Sequence, residues 1–256
     1  MTHPPVIDTP YLRSAYTKGI FQFGQDDAKL KMVLVGSCRI LPFLNYLRLF
    51  ETPINLICLN PVEMWGGPGS EVKDGVNRIM AGQKLGKVGV LICEHLQDCG
   101  VINTVRSSAE NLFDSLGCKP EMEIRLPNWN DMHIFDAETA IHDPVGHGNR
   151  THEERVNFIR TQTAIHKARW LSHCRKSSFP ELEQWTEDNW LTTRLGWTSN
   201  HPTITLIHEM FEWIMNDMGV LIPEQVGHHP IYNNDLYAST GYKLTSVDYE
   251  ANHWKF

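Results

Sequence analysis

The chain has 256 residues, of which 41% are hydrophobic, enough for one large domain with a substantial core. A formal charge of −7 without a basic stripe excludes nucleic acid as the main partner and leaves room only for a local cationic pocket. The six cysteines show no CxxC spacing, no apolar run approaches a membrane span, and residues 1–5 lack a signal-peptide pattern. The expectation is therefore a cytoplasmic protein with reduced thiols and no membrane span.

In chain order, residues 1–30 read as an irregular lead-in with a short element near 11–18. Strands are predicted at 31–35, 54–59, 88–93 and 121–126, and helices at 40–50, 70–83 and 102–116. Ile40, Phe43, Leu44 and Leu47 recur at helical spacing, and Pro42 suits a first helical turn. Strictly alternating strands and helices predict a parallel sheet flanked by helices, with the loops after each strand on one edge. Ligands bind such sheets at that edge. The core βα units thus occupy 31–126 of a single α/β domain over 1–256. Residues 127–150, rich in Asn, Asp, His and Gly, read as a long loop. Thr151 and Glu154 form a capping-box pattern for a helix reaching about 173. Further helices are predicted at 180–194 and 202–218, so 151–220 is a helical segment completing the site. Residues 221–256 read as an irregular tail.

Within the first predicted unit an apolar strand stops at Gly36 and a helix follows, placing Gly36, Ser37, Cys38 and Arg39 on a strand-to-helix turn. A thiol there faces the positive end of the helix dipole and lies beside a guanidinium, and both favour the thiolate. The alternative is a small buried thiol on a plain turn.

The block Val35-Gly36-Ser37-Cys38-Arg39 resembles the Gly-Asp-Ser opening of SGNH-type hydrolases. It is more closely similar to the Gly-Asn-Cys-Gln opening of the WcbI-like polysaccharide-biosynthesis family and the Gly-Ser-Cys opening of GSCFA domains. Asn200-His201-Pro202-Thr203, ahead of a predicted helix, resembles the late histidine loop of SGNH-like chains. The resemblance implies an SGNH or flavodoxin-like three-layer sandwich with a helical C-terminal half. It also implies Cys38 or Ser37 as nucleophile, His201 as base and coenzyme A or an acyl-coenzyme A as ligand. An acyltransferase or esterase acting on a carbohydrate or other hydroxylated small-molecule acceptor follows. Two departures stand out. Thr198 occupies the position of the family's Asp, and the loop after the third predicted strand reads Glu94-His95-Leu96-Gln97-Asp98 instead of Gly-x-Asn-Asp.

A thiolate forms near neutral pH, so a missing carboxylate matters less for cysteine than for serine. Oxyanion and substrate contacts are expected from the Cys38 N–H, Gly36, Arg39, Gly66, Gly67, Gln97, His95 and Asn200. Lys73, Arg78, Lys84, Lys167, Arg169 and Arg175 are candidates for the phosphates of coenzyme A. Two other classes stay open: a non-catalytic ligand- or coenzyme A-binding module, and a metal-dependent enzyme using the histidines of 142–152. None of the thirteen histidines falls in a recognised metal spacing, so no metal is expected. His228 and His229, also before a proline, are secondary candidates for the base.

Overall fold

The structure is a computed structural model that describes residues 12–17, 20–24, 30–35, 39, 42, 43, 46, 54–59, 89–94, 121–228, 230, 235 and 238–256. The chain divides into two compact units, one formed by Met1–Leu126 with Phe211–Asn234, the other by Pro127–Met210 with Asp235–Phe256. The boundary after Leu126 coincides with the change of character read from the sequence.

The first unit holds a six-stranded sheet of β1 (Leu12–Thr17), β2 (Ile20–Gly24), β3 (Leu30–Val35), β4 (Ile54–Leu59), β5 (Val90–Glu94) and β6 (Met122–Leu126), in the order β1-β2-β4-β3-β5-β6. Strands β4, β3, β5 and β6 run parallel, in register from Leu30 opposite Ile54 to Val35 opposite Leu59 and from Met32 opposite Val90 to Val35 opposite Cys93. Met32, Val33 and Leu34 are consecutively buried, the signature of a strand covered on both faces. In β6, Ile124 and Leu126 are buried while Glu123 and Arg125 are exposed, as suits a sheet edge. Phe43 and Tyr46 are buried, and the Tyr46 ring meets Phe211 edge-on with centroids 5.1 Å apart.

The short element expected near 11–18 is β1, and the rest of the irregular lead-in is corrected. Residues 12–17 and 20–24 form an antiparallel pair, and β2 adds antiparallel to β4, so the sheet is mixed. Tyr16, Thr17, Ile20, Phe21 and Phe23 suit strands, but Ser14 and Gln22 interrupt any apolar run, so pairing with a neighbour completes what the local composition only favours. The helical candidates at 70–83 and 102–116 lie outside the described residues, and of 40–50 only residues 42, 43 and 46 are described.

The second unit is helical: α1 (Asp136–His142), α2 (Pro144–Asn149), α3 (His152–Lys176), α4 (Leu182–Asn189) and α7 (Ser246–Asn252) belong to it. Between them in sequence come α5 (Ile204–Asp217) and α6 (Glu224–His228). Two further expectations are corrected here. The long loop 127–150 contains α1 and α2, the latter started by Pro144 and by Asp143, whose carboxylate accepts from the Gly146 N–H at 3.0 Å. The irregular tail contains α6, a 3-10 turn at Ala238–Thr240, and α7. These helices span seven residues or fewer, too short for a stripe to emerge, so caps and tertiary contacts decide them.

Helix α3 begins on the expected box: Thr151 Oγ1 accepts from the Glu154 N–H, and Glu154 accepts from the Thr151 N–H. Val156 and Ile159 of α3 pack on Val247 and Ala251 of α7, with Phe158 at the margin.

Candidate functional site

The parallel strands share one carboxyl edge, and the direction of strand addition reverses around β3. The chain leaves β3 for β4 on one side, then returns to lay β5 on the other. This is a topological switch point, and open α/β sheets bind ligands outside the carboxyl ends of their strands at such a point. Strand β3 ends at Val35, immediately before Gly36, and β5 ends at Glu94, immediately before His95. Gly36, Ser37, Cys38, Gly66, Gly67, His95 and Gln97 themselves lie outside the described residues, as do Lys73, Arg78, Lys84 and His229. Arg39 is described; it lies in a helical turn and is buried.

The histidine loop of the second unit is described in full. Gly196 and Pro202 form an isolated bridge, the Trp197 N–H donates to the His201 carbonyl at 2.8 Å, and the Thr203 N–H donates to the Leu195 carbonyl at 2.9 Å. A side chain at Gly196 would meet the Thr198 carbonyl oxygen at 2.6 Å, so only glycine lets the two backbones approach this closely. Arg194 ties the outside: its Nε donates to the Gly196 carbonyl, and its Nη2 donates to the carbonyls of Trp197 and Tyr242. Its guanidinium stacks over Trp197 at 4.3 Å and Phe135 at 4.9 Å. Trp197 thus packs between Arg194 and the backbone of Gly241, where an added methyl would lie 2.6 Å from the indole.

Inside this loop Thr198 is a hub. Its Oγ1 donates to Asn200 Oδ1 at 2.9 Å, accepts from the His201 N–H at 3.1 Å and lies 2.9 Å from His201 Nδ1. A hydroxyl has one proton. The Asn200 N–H also points at this oxygen, at 3.3 Å. When the hydroxyl proton goes to Asn200, Nδ1 of His201 donates to Thr198 and the ring's lone pair falls on Nε2; when it goes to Nδ1, the tautomer is reversed. The first is the tautomer a general base uses, and in Ser-His-Asp triads a carboxylate sets it. Here an uncharged hydroxyl, that of Thr198, makes the contact. Asn200, a candidate substrate contact, accepts from Thr198 through its Oδ1.

Next to the hub, Ser199 Oγ donates to Glu138 Oε1 at 2.6 Å, and the Ser199 carbonyl accepts from the Met132 N–H at 3.1 Å. Glu138 is 8% exposed, and its Oε2 has no partner among the described residues. Burial raises its pKa against the opposing effect of the Ser199 hydrogen bonds. Sequence reasoning missed Glu138, because it lies 61 residues from Ser199 in a segment with no periodicity.

His133 supports the loop from beneath. Its Nε2 accepts from the Leu195 N–H at 3.1 Å, and Trp190, Trp254 and Phe135 surround its ring at 4.7, 4.9 and 5.8 Å. It is fully buried, and burial, helped by the Arg194 charge, pushes its pKa down to about 3. The imidazole is neutral.

The histidines of the 142–152 segment do not converge. His147 bonds Asp136 at 2.9 Å, and His152 bonds Glu250 at 2.9 Å. Among the described residues no group of three His, Cys, Asp or Glu side chains is arranged to hold a metal ion. On α3 the expected phosphate-binding cations already face carboxylates: Lys167 pairs with Glu187, Arg175 with Glu183, and Arg169 lies 3.5 Å from Asp131. His228 is exposed and 4.0 Å from Glu224.

No family model matches the chain, and no curated protein sequence is similar to it. A similar solved structure is WcbI, described as a novel polysaccharide biosynthesis enzyme, in a native form without a disulfide bond between coenzyme A and one of its cysteines. The likeness covers 89% of this chain and 80% of that chain at 14% identity, with a TM-score of 0.56. The chain shares the fold of WcbI. The relationship is a distant one. No described helix is long and apolar enough to cross a membrane.

Proposed function

We propose that the chain transfers an acyl group from a coenzyme A thioester to a saccharide hydroxyl, with Cys38 as nucleophile and His201 as base. The observation that carries the reading is the switch point at β3 and β5. The segment holding Gly36, Ser37, Cys38 and Arg39 follows β3 directly in sequence, and the segment holding His95 and Gln97 follows β5. The fold shared with an enzyme described together with coenzyme A supports the same ligand here. The Thr198 hydroxyl 2.9 Å from Nδ1 of His201 supports its role as base, because accepting from Nδ1 leaves the lone pair on Nε2.

In this mechanism His201 Nε2 takes the proton of the Cys38 thiol, and the thiolate attacks the thioester carbonyl. The C–S bond to coenzyme A breaks, and His201 returns the proton to the departing thiolate. The acceptor hydroxyl then attacks the acyl-cysteine, giving its proton to His201, and Cys38 leaves as thiolate and is reprotonated. Donors for the oxyanion are the Cys38 N–H, the glycines at 36, 66 and 67, and the Gln97 amide. The Arg39 guanidinium meets a phosphate or the thioester carbonyl.

Intact-mass spectrometry after incubation with a panel of acyl-coenzyme A thioesters tests the proposal. The expected result is an added acyl mass on the wild type and none on Cys38→Ala, with acylation slowed about 10²- to 10⁴-fold in His201→Ala. No adduct and no thioester consumption would overturn it. Calorimetric binding of coenzyme A without an adduct would leave a non-catalytic binding module, the reading that the uncharged Thr198 favours.

A further inference from the structure

We propose that Glu138 is a positioning residue for His201, acting through Ser199 to hold the turn that orients the imidazole. The inference rests on His201 being the base, and its observations are independent of the nucleophile. Ser199 lies between Thr198 and Asn200, so it belongs to the same turn that fixes Nδ1 of His201. Its hydroxyl donates to Glu138 Oε1 at 2.6 Å, within the short range of a bond to an ionised carboxylate. Its carbonyl is held by the Met132 N–H. Ser199 is therefore fixed at two points, and the rest of the turn follows from it.

The arrangement has a cost that a packing residue would not carry. Glu138 is buried, one of its oxygens is without a partner among the described residues, and burial raises its pKa. A Leu at this place would fill the space without that penalty, and what it lacks is the acceptor for Ser199. Glu138 makes no hydrogen bond to His201 itself, so it supplies geometry and not a proton. The Thr198 hub replaces a carboxylate in direct contact with the histidine, and Glu138 is the carboxylate one step further back.

The test reads the histidine itself. Long-range ¹H–¹⁵N correlation spectra of ¹⁵N-labelled protein report which ring nitrogen carries the proton, with the His201 signals assigned by their loss in His201→Gln. The wild type is expected to show Nδ1 protonated. Glu138→Leu and Ser199→Ala are expected to mix the two tautomers, whereas Glu138→Gln, which keeps an acceptor oxygen, preserves the wild-type pattern. With an acyl-coenzyme A donor, kcat of Glu138→Leu is expected to fall roughly ten- to a hundredfold with little change in KM, the mark of a displaced base.

Unchanged His201 nitrogen shifts in folded Ser199→Ala and Glu138→Leu would overturn the inference whatever the activity. If Glu138→Leu does not fold, Ser199→Ala decides. A wild type without any transferase activity, but with the tautomer pattern responding as expected, would overturn the proposed reaction and leave the positioning role standing.

Discussion

Cys174 on α3 is fully buried, and the loss of hydration pushes its thiol pKa strongly upward. The thiolate is the species that attacks alkylating agents, so burial removes its reactivity twice, by protonation and by access. In native protein treated with iodoacetamide at neutral pH, Cys174 is expected to stay unmodified and to react only after denaturation. The Cys38 peptide is expected to carry the first label. Alkylation of Cys174 in native protein as fast as in denaturant would contradict its burial. Thr198 shows the opposite relation between sequence and role. From the sequence it is only the missing Asp of a family pattern. Its contact with His201 Nδ1 becomes visible once the turn is folded, because a hydroxyl is short and reaches the ring only where the backbone curls back on itself.

At the scale of elements, two capping boxes make a natural comparison. Thr151 starts α3 from an exposed position, while Thr245 starts α7 beside a fully buried Asp248. Thr245 Oγ1 lies 3.1 Å from Asp248 Oδ2 and 3.2 Å from Asp136 Oδ2, and the Asp136 N–H donates to Asp248 Oδ1 at 2.8 Å. The hydroxyl thus sits between two carboxylates, one of which has its pKa raised by burial. Thr151→Ala is expected to cost about 1 kcal/mol, the ordinary worth of a cap. Thr245→Ala is expected to cost more, about 2 kcal/mol, since it also leaves buried carboxylate oxygens less well satisfied. Urea midpoints of the two variants, measured by circular dichroism, check the order. Equal midpoints would show that the Thr245 contacts add nothing beyond the cap.

At the scale of the whole molecule, pH acts through buried groups. The folded state holds His133 neutral, with a pKa of about 3 against an ordinary 6.5, so below pH 6.5 the unfolded chain takes up the proton first. The stability this group contributes is complete above pH 6.5 and is lost as pH falls toward 3, at up to about 1.4 kcal/mol per unit. Asp131 adds to the fall at lower pH. Burial opposes its ionisation, but the hydrogen bond from His173 and the charges of His166 and Arg169 outweigh that and hold its pKa below the usual value. Glu138 works the other way, since burial favours its protonated form and acid relieves that strain. Urea unfolding between pH 7 and 4 is expected to show the net loss, and His133→Phe to flatten it, even with a lower midpoint at pH 7. A wild-type profile flat across that range would refute the neutral buried histidine.

The sequence by itself determined the elements whose signals are local. The strands β3 and β4 are mainly apolar runs and β6 alternates apolar and charged residues, and their predicted limits agree with the structure to within a residue at each end. The Thr151 box and the α5 stripe are likewise written in residues three or four apart. The sequence also singled out His201, by a short block ahead of a helix. Only the tertiary structure decided the hairpin of β1 and β2, the helices inside 127–150 and in the tail, and the mixed character of the sheet. It also decided the switch point at β3, because strand order is a property of pairing and not of any one strand. The same holds for the support of His201: Glu138 reaches Ser199 across 61 residues, and His133 reaches Leu195 across 62. Contacts of that separation leave no periodic trace in a single chain, since the two partners are constrained by each other's position and not by their neighbours in sequence.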